Sequence, residues 1–138
     1  MLYITQHIIS EERLAESISD TDARAAFRVC EKLRRSLSVL TGVVGFRSVL
    51  SRALVLAKTK VPWLGELRIG SDGSLEFSAE LEARVGAEEA ARGGTALIES
   101  LLALLVTFIG ETLTLRLVQD VWPKAALKGP EYGKNDQL

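Results

Sequence analysis

Apolar residues recur at helical spacing over much of the chain. Ala26, Cys30, Leu33, Leu37 and Leu40 follow one another at intervals of 4, 3, 4 and 3, which places them on one face of a helix. Acidic residues at Asp20 and Asp22 favour a start there and Gly42 a stop, so the pattern predicts a helix over 22–40. A second amphipathic run, Phe46, Val49, Leu50, Ala53, Leu54 and Ala57, predicts a helix over 45–60 that Pro62 ends. The short glycine-flanked joint between the two predicts a helical hairpin. Beyond it the period changes: Leu67, Ile69, Leu75 and Phe77 alternate with polar residues around Asp72-Gly73, the pattern of a small β-hairpin over 67–77. Such a hairpin is marginal alone and must lean on the helices.

The segment 78–94 is rich in alanine and glutamate and predicts one or two short helices, interrupted at Gly86 and at Gly93-Gly94. At the N-terminus, residues 1–10 form an apolar segment expected to pack on the body, with Ser10 as the N-cap of a helical turn. The most apolar stretch follows Gly94 and predicts one long helix over 95–121, stopped by Pro123. Residues 124–138 lack periodicity and read as a loose tail, leaving 1–123 as a single helical domain. The expected fold is thus mainly α: a helical bundle around a long central C-terminal helix, with a small β-hairpin.

That long helix raises the question of a membrane. Ala96 to Val118 is long enough to span. Its thirteen large apolar residues, at about −0.3 to −0.6 kcal/mol each, compete with Glu99, Glu111 and Arg116 at about +2.5 to +3.5 each near the centre. Other amphipathic helices need a core, so the reading adopted is a buried central helix, with membrane contact disfavoured. Gly93, Ala96, Ser100, Ala103, Thr107, Gly110 and Thr114 form an unbroken small-residue stripe along it at spacings of 3 and 4. Small residues let another helix approach closely; a helix of the same chain is the expected occupant, a second copy the alternative. Glu111 and Arg116 are read as buried charges. A carboxylate at Glu111 would then need a cation from 23–60, and Arg116 is set to pair with Asp120.

Composition narrows the function. A net charge of −1 conceals a polarised distribution, because residues 23–60 hold nine Lys or Arg against one acid, Glu31. Arg24, Arg28, Lys32 and Arg35 recur along the first helix, and Arg47 and Arg52 lie on the second. These six form the candidate interaction surface, for an acidic protein partner or, less readily, for nucleic acid through a loosely helix-turn-helix-like unit. Few residues suited to base edges and a pI near 5.9 argue against a dedicated nucleic-acid binder.

The chemical inventory is thin. His7 is the single histidine and Cys30 the single cysteine. No zinc set is spelled, Cys30 falls in register with the core face, and the GSDGS turn lacks the lysine of a phosphate loop and the carboxylates of a calcium loop. No catalytic residue, cofactor or metal is expected. One cysteine and no leader-like start make the cytoplasm the default compartment. The segments GFRSVLSRAL and FIGETLTLRLVQDVWP resemble those of a family of small, uncharacterised bacterial helical proteins, over about residues 23–123. The resemblance implies a bacterial, self-contained domain and brings no activity with it. The expected function is a non-enzymatic protein-interaction or regulatory module that self-associates as a homodimer. Nucleic-acid binding through 23–60 and peripheral membrane association are the alternatives.

Overall fold

Gly42 divides the longest helix of the protein. The computed structural model describes residues 2–14 and 22–123, and in it α2 runs Asp22–Lys58 with Gly42 at φ 77°, ψ 165°, a conformation that disfavours any residue with a Cβ. The two arms, 22–41 and 43–58, fold back on each other. Phe27 stacks on Phe77 with ring centroids 4.4 Å apart, and Trp63 meets the same ring at 5.6 Å; a straight helix from 27 to 58 would separate its ends by about 47 Å. The expected helical hairpin is therefore present, turned by one glycine.

A second glycine does the same near the C-terminus. α4 (Ala87–Ile109) and α5 (Glu111–Val121) meet at Gly110, with φ 88° and ψ 161°, so the single helix expected over 95–121 is broken there. Conversely, α4 passes unbroken through Gly93-Gly94, where a stop was expected. The reason is packing. Both glycines are buried, and a Cβ on Gly94 would lie 2.6 Å from the Ala26 Cβ; the pair is a close-approach site within a helix.

The remaining elements close the bundle. α1 (Leu2–Leu14) is one helix in which Ser10 is internal and caps nothing. A 3-10 turn, Pro62–Glu66, leads into β1 (Arg68–Ile69) and β2 (Leu75–Glu76), paired antiparallel as Arg68↔Glu76 and Ile69↔Leu75. Asp72 and Gly73 make the turn as expected, with Gly73 at φ 88° and Asp72 Oδ1 accepting from the Ser74 amide and hydroxyl. Gly73 sits against the ring of Phe46, which fixes the hairpin to α2. α3 (Ala79–Val85) is capped by Ser78, whose hydroxyl accepts from the Leu81 amide.

The core lies between α2 and α4. It contains Val29, Leu33, Leu37, Phe46 and Leu50 from α2 and Leu97, Ile98, Leu101, Leu102 and Leu105 from α4, with Ile8, Leu64, Val118 and Trp122 joining from α1, the 3-10 turn and the C-terminal segment. α4 is therefore central, but it is buried on one face rather than all round. In its most apolar window only 39% of the residues are buried. Residues 124–138, read above as a tail, lie outside those described.

Candidate functional site

Among the described residues Glu12 is the one acidic side chain that the fold encloses, and the sequence pattern did not single it out. Its carboxylate is 3% exposed and has three donors in reach, with a fourth on the backbone carbonyl of the same residue. Trp122 Nε1 donates to Oε2 at 3.0 Å and Lys32 Nζ lies 2.8 Å from the same oxygen, while Arg28 Nε donates to Oε1 at 3.3 Å and Arg28 Nη2 to the Glu12 carbonyl at 3.3 Å. Burial pushes the Glu12 carboxyl up, but hydrogen bonds from Lys32, Trp122 and Arg28 outweigh it and hold the group below the usual carboxylate range. The cluster joins α1, α2 and the residue after α5. It is a structural latch: a buried carboxylate is held by Arg28 and Lys32, whose own side chains stay partly exposed, Arg28 also lining a groove with Phe27, Phe77 and Glu82.

Two of the six candidate surface cations are thereby engaged inside the fold. Arg28 and Lys32 hold Glu12, Arg24 lies 3.9 Å from Glu82, and Arg35 lies 3.9 Å from Glu31, which Arg34 also binds. The basic run of 23–60 is thus no continuous stripe. Arg47 and Arg52 stand apart: both are exposed, and among the described residues no acid pairs with either.

These two arginines border an open groove of about 690 Å³ along the outer face of the second arm of α2, lined by Val44, Arg47, Ser48, Ser51, Arg52, Val55 and Leu56. On a helix, Val44, Ser48, Ser51 and Val55 share one seam, with Arg47 about 60° to one side and Arg52 about 80° to the other. Val55 and Leu56 are about half exposed and Val44 is 75% exposed. Apolar groups normally found inside are here presented to the outside beside two unpaired cations.

The small-residue stripe is divided by the fold. Gly93 lies beneath Trp63, whose Nε1 donates to the Glu89 carbonyl at 3.1 Å. Ala96 lines a shallow groove with Leu2 and Val61; Ser100 is half-buried, and Ala103, Thr107 and Gly110 are exposed. Thr114 is buried, its hydroxyl bonded back to the Gly110 carbonyl at 2.8 Å. The chain itself covers the N-terminal part of the stripe.

Glu111 and Arg116, expected to be buried, are both exposed. The break at Gly110 explains this, since it makes Glu111 the first residue of α5, where a solvated carboxylate suits the positive helix end. The sequence signal for Glu12 is its position four residues after Ile8, on the face of α1 that also buries Thr5 and Ile9.

Cys30 is buried, and desolvation raises its thiol pKa to about 12. The native protein is expected to consume no thiol reagent at neutral pH and to react fully in denaturant; stoichiometric labelling of the native protein would contradict this placement. Among the described residues no three His, Cys, Asp or Glu side chains are grouped to hold a metal ion. His7 packs on the Tyr3 ring at 4.2 Å. In comparisons with family models, curated proteins and solved structures, none matched this chain.

Proposed function

We propose that the protein is a non-enzymatic interaction module that docks an acidic amphipathic helix on the outer face of the second arm of α2. The observation that carries this reading is the groove itself: a seam of small and β-branched residues, Val44, Ser48, Ser51 and Val55, with an unpaired arginine on each side. A seam of that kind accepts the apolar ridge of another helix, and cations on its borders select a partner carrying Asp or Glu beside the ridge. Binding needs no cofactor and no rearrangement of the core, because Phe46, Leu50, Ala53 and Ala57 already anchor the inner face of the same arm.

Nucleic-acid binding is less well supported. It needs many cations on one face, and here Arg24, Arg28, Lys32 and Arg35 face acids of the same chain.

A photo-crosslinking amino acid placed at Ser51, with Glu88 as a control on the far end of α4, tests the reading in cells. Adducts are expected at Ser51 alone, on a helical segment bordered by acids, and R52E with V55D should reduce them tenfold or more. Absence of site-specific adducts would overturn it. Adducts that map to this same chain would replace the acidic partner by a second copy.

A further inference from the structure

The two glycine corners lie at the same end of the bundle. Trp63 packs on Gly93 and Lys60 Nζ lies 3.6 Å from Glu99, so the second arm of α2 runs antiparallel to α4, and the first arm, folded back on it, runs parallel to α4. Gly94 rests against Ala26. From that crossing α4 reaches Gly110 in sixteen residues and the first arm reaches Gly42 in sixteen, each a rise of about 24 Å. The return limbs agree: Trp122, twelve residues past Gly110, meets Glu12 beside Arg28 and Lys32, which precede Gly42 by fourteen and ten.

This shared end is apolar and open. Val39 is 84% exposed, Leu40 63%, Val43 41%, Val44 75%, Phe108 59% and Leu113 45%. Between Arg35 and Arg47 the chain has no charged residue. Val39, Leu40, Phe108 and Leu113 line none of the grooves described above; their exposed side chains protrude from the two corners. Within about two turns of the corners stand the exposed Arg35, Arg47 and Arg116, against one nearby acid on the same elements, Glu111. The turn at Asp72 adds an acid beside Arg34, and Glu31 lies near Arg34 and Arg35 on the side away from the corner.

From this we infer that the Gly42 and Gly110 corners together form a docking end for an anionic lipid surface, inserting Leu40, Val39 and Phe108 among the acyl chains while the arginines meet the headgroups. Protruding apolar side chains suit a bilayer, whose headgroup region yields to them, and a collar of cations around an apolar tip is the complement of an anionic membrane. The occupant differs from that of the lateral groove, and the substitutions below leave the groove intact, so either reading can fail alone.

The full chain is mixed with vesicles of phosphatidylcholine containing 30% phosphatidylserine, and with phosphatidylcholine vesicles alone, at low and at 0.5 M salt. It is expected to float with the anionic vesicles, at least tenfold less with the neutral ones, and less at high salt. V39D with L40D should abolish flotation, and R35E with R116E should reduce it severalfold, both with unchanged circular dichroism. Independently, L40C carrying an environment-sensitive dye should shift to the blue on anionic vesicles, and E88C at the opposite end should not; buried Cys30 stays unlabelled. Failure of the wild-type chain to float, equal flotation of V39D/L40D, or an equal shift at both label sites would overturn the proposal. So would light scattering that shows a dimer dispersed by V39D/L40D, since a second copy would then cover this end.

Discussion

Replacing both Arg28 and Lys32 with methionine is expected to destabilise the protein by about 3–5 kcal/mol at neutral pH. The substitution leaves the Glu12 carboxylate, 3% exposed, with Trp122 as its remaining partner. Removing the cations of a buried ion pair strands the opposite charge, and that costs more than the pair contributed. The pH dependence separates this from a simple packing loss. In the native protein the Glu12 carboxyl titrates below its ordinary range. Its contribution is therefore complete above the unfolded carboxylate pKa of about 4.3 and is lost as pH falls through the lower folded value. In the double variant burial is opposed only by the Trp122 hydrogen bond and raises the folded pKa. Protonation then favours the folded state, so stability should increase as pH falls from 7 toward 5, a range over which the wild-type contribution of Glu12 stays constant. Adding E12Q, which removes the charge and keeps an acceptor for the Trp122 indole, should restore most of the loss at pH 7. Urea denaturation across that range checks all three. A double variant as stable as the wild type at pH 7, or one that weakens steadily with acid, would show that Glu12 is not held as described.

Gly94→Ala should destabilise the protein by about 1–3 kcal/mol, although alanine is the better helix former by up to about 1 kcal/mol. Gly94 lies inside α4, and a Cβ there would come within 2.6 Å of the Ala26 Cβ, a methyl fixed to a neighbouring backbone that has no rotamer to escape into. At Gly93 the obstruction is Trp63, 2.4 Å from the ideal Cβ, so Gly93→Ala must displace an indole that also bonds the Glu89 carbonyl. Ala26→Gly in the Gly94→Ala background should recover part of the loss, since it removes the opposing methyl. Thermal denaturation of the three variants decides it; if Gly94→Ala raises the melting temperature, the α2–α4 contact is looser than the structure shows.

Much of the architecture was legible before any coordinates. The 4, 3, 4, 3 recurrence of Ala26, Cys30, Leu33, Leu37 and Leu40 predicts a buried face; the first four are buried, while Leu40, beside the Gly42 corner, is 63% exposed. In the second run Phe46, Leu50, Ala53 and Ala57 are buried and Val49 and Leu54 half-buried. Periodicity reports a face because a helix places i, i+3, i+4 and i+7 together whatever they later touch. The Asp72-Gly73 turn was equally readable, since backbone conformation at a turn is a local preference. Glycine was the ambiguous letter. At Gly42 and Gly110 it is a corner with positive φ; at Gly93 and Gly94 it is a helical residue chosen for lack of bulk. Nothing local distinguishes the two uses.

The charged residues divide along the same line. Their identity and density in 23–60 are properties of the sequence, but which of them remain available is not. Arg28 and Lys32 turn inward because α1, more than ten residues upstream, delivers Glu12 between them and Trp122 arrives from the far end of the chain. Arg47 and Arg52 remain outward because the hairpin turned at Gly42 places their face away from α4. Sequence alone thus determined the helices, their buried faces, the β-turn and the segregation of charge, all set by interactions spanning a few residues. Tertiary structure alone decided where the glycines bend, which acid is enclosed and which apolar end stays open. Those outcomes depend on distances between segments far apart in the chain, which a periodic pattern does not encode.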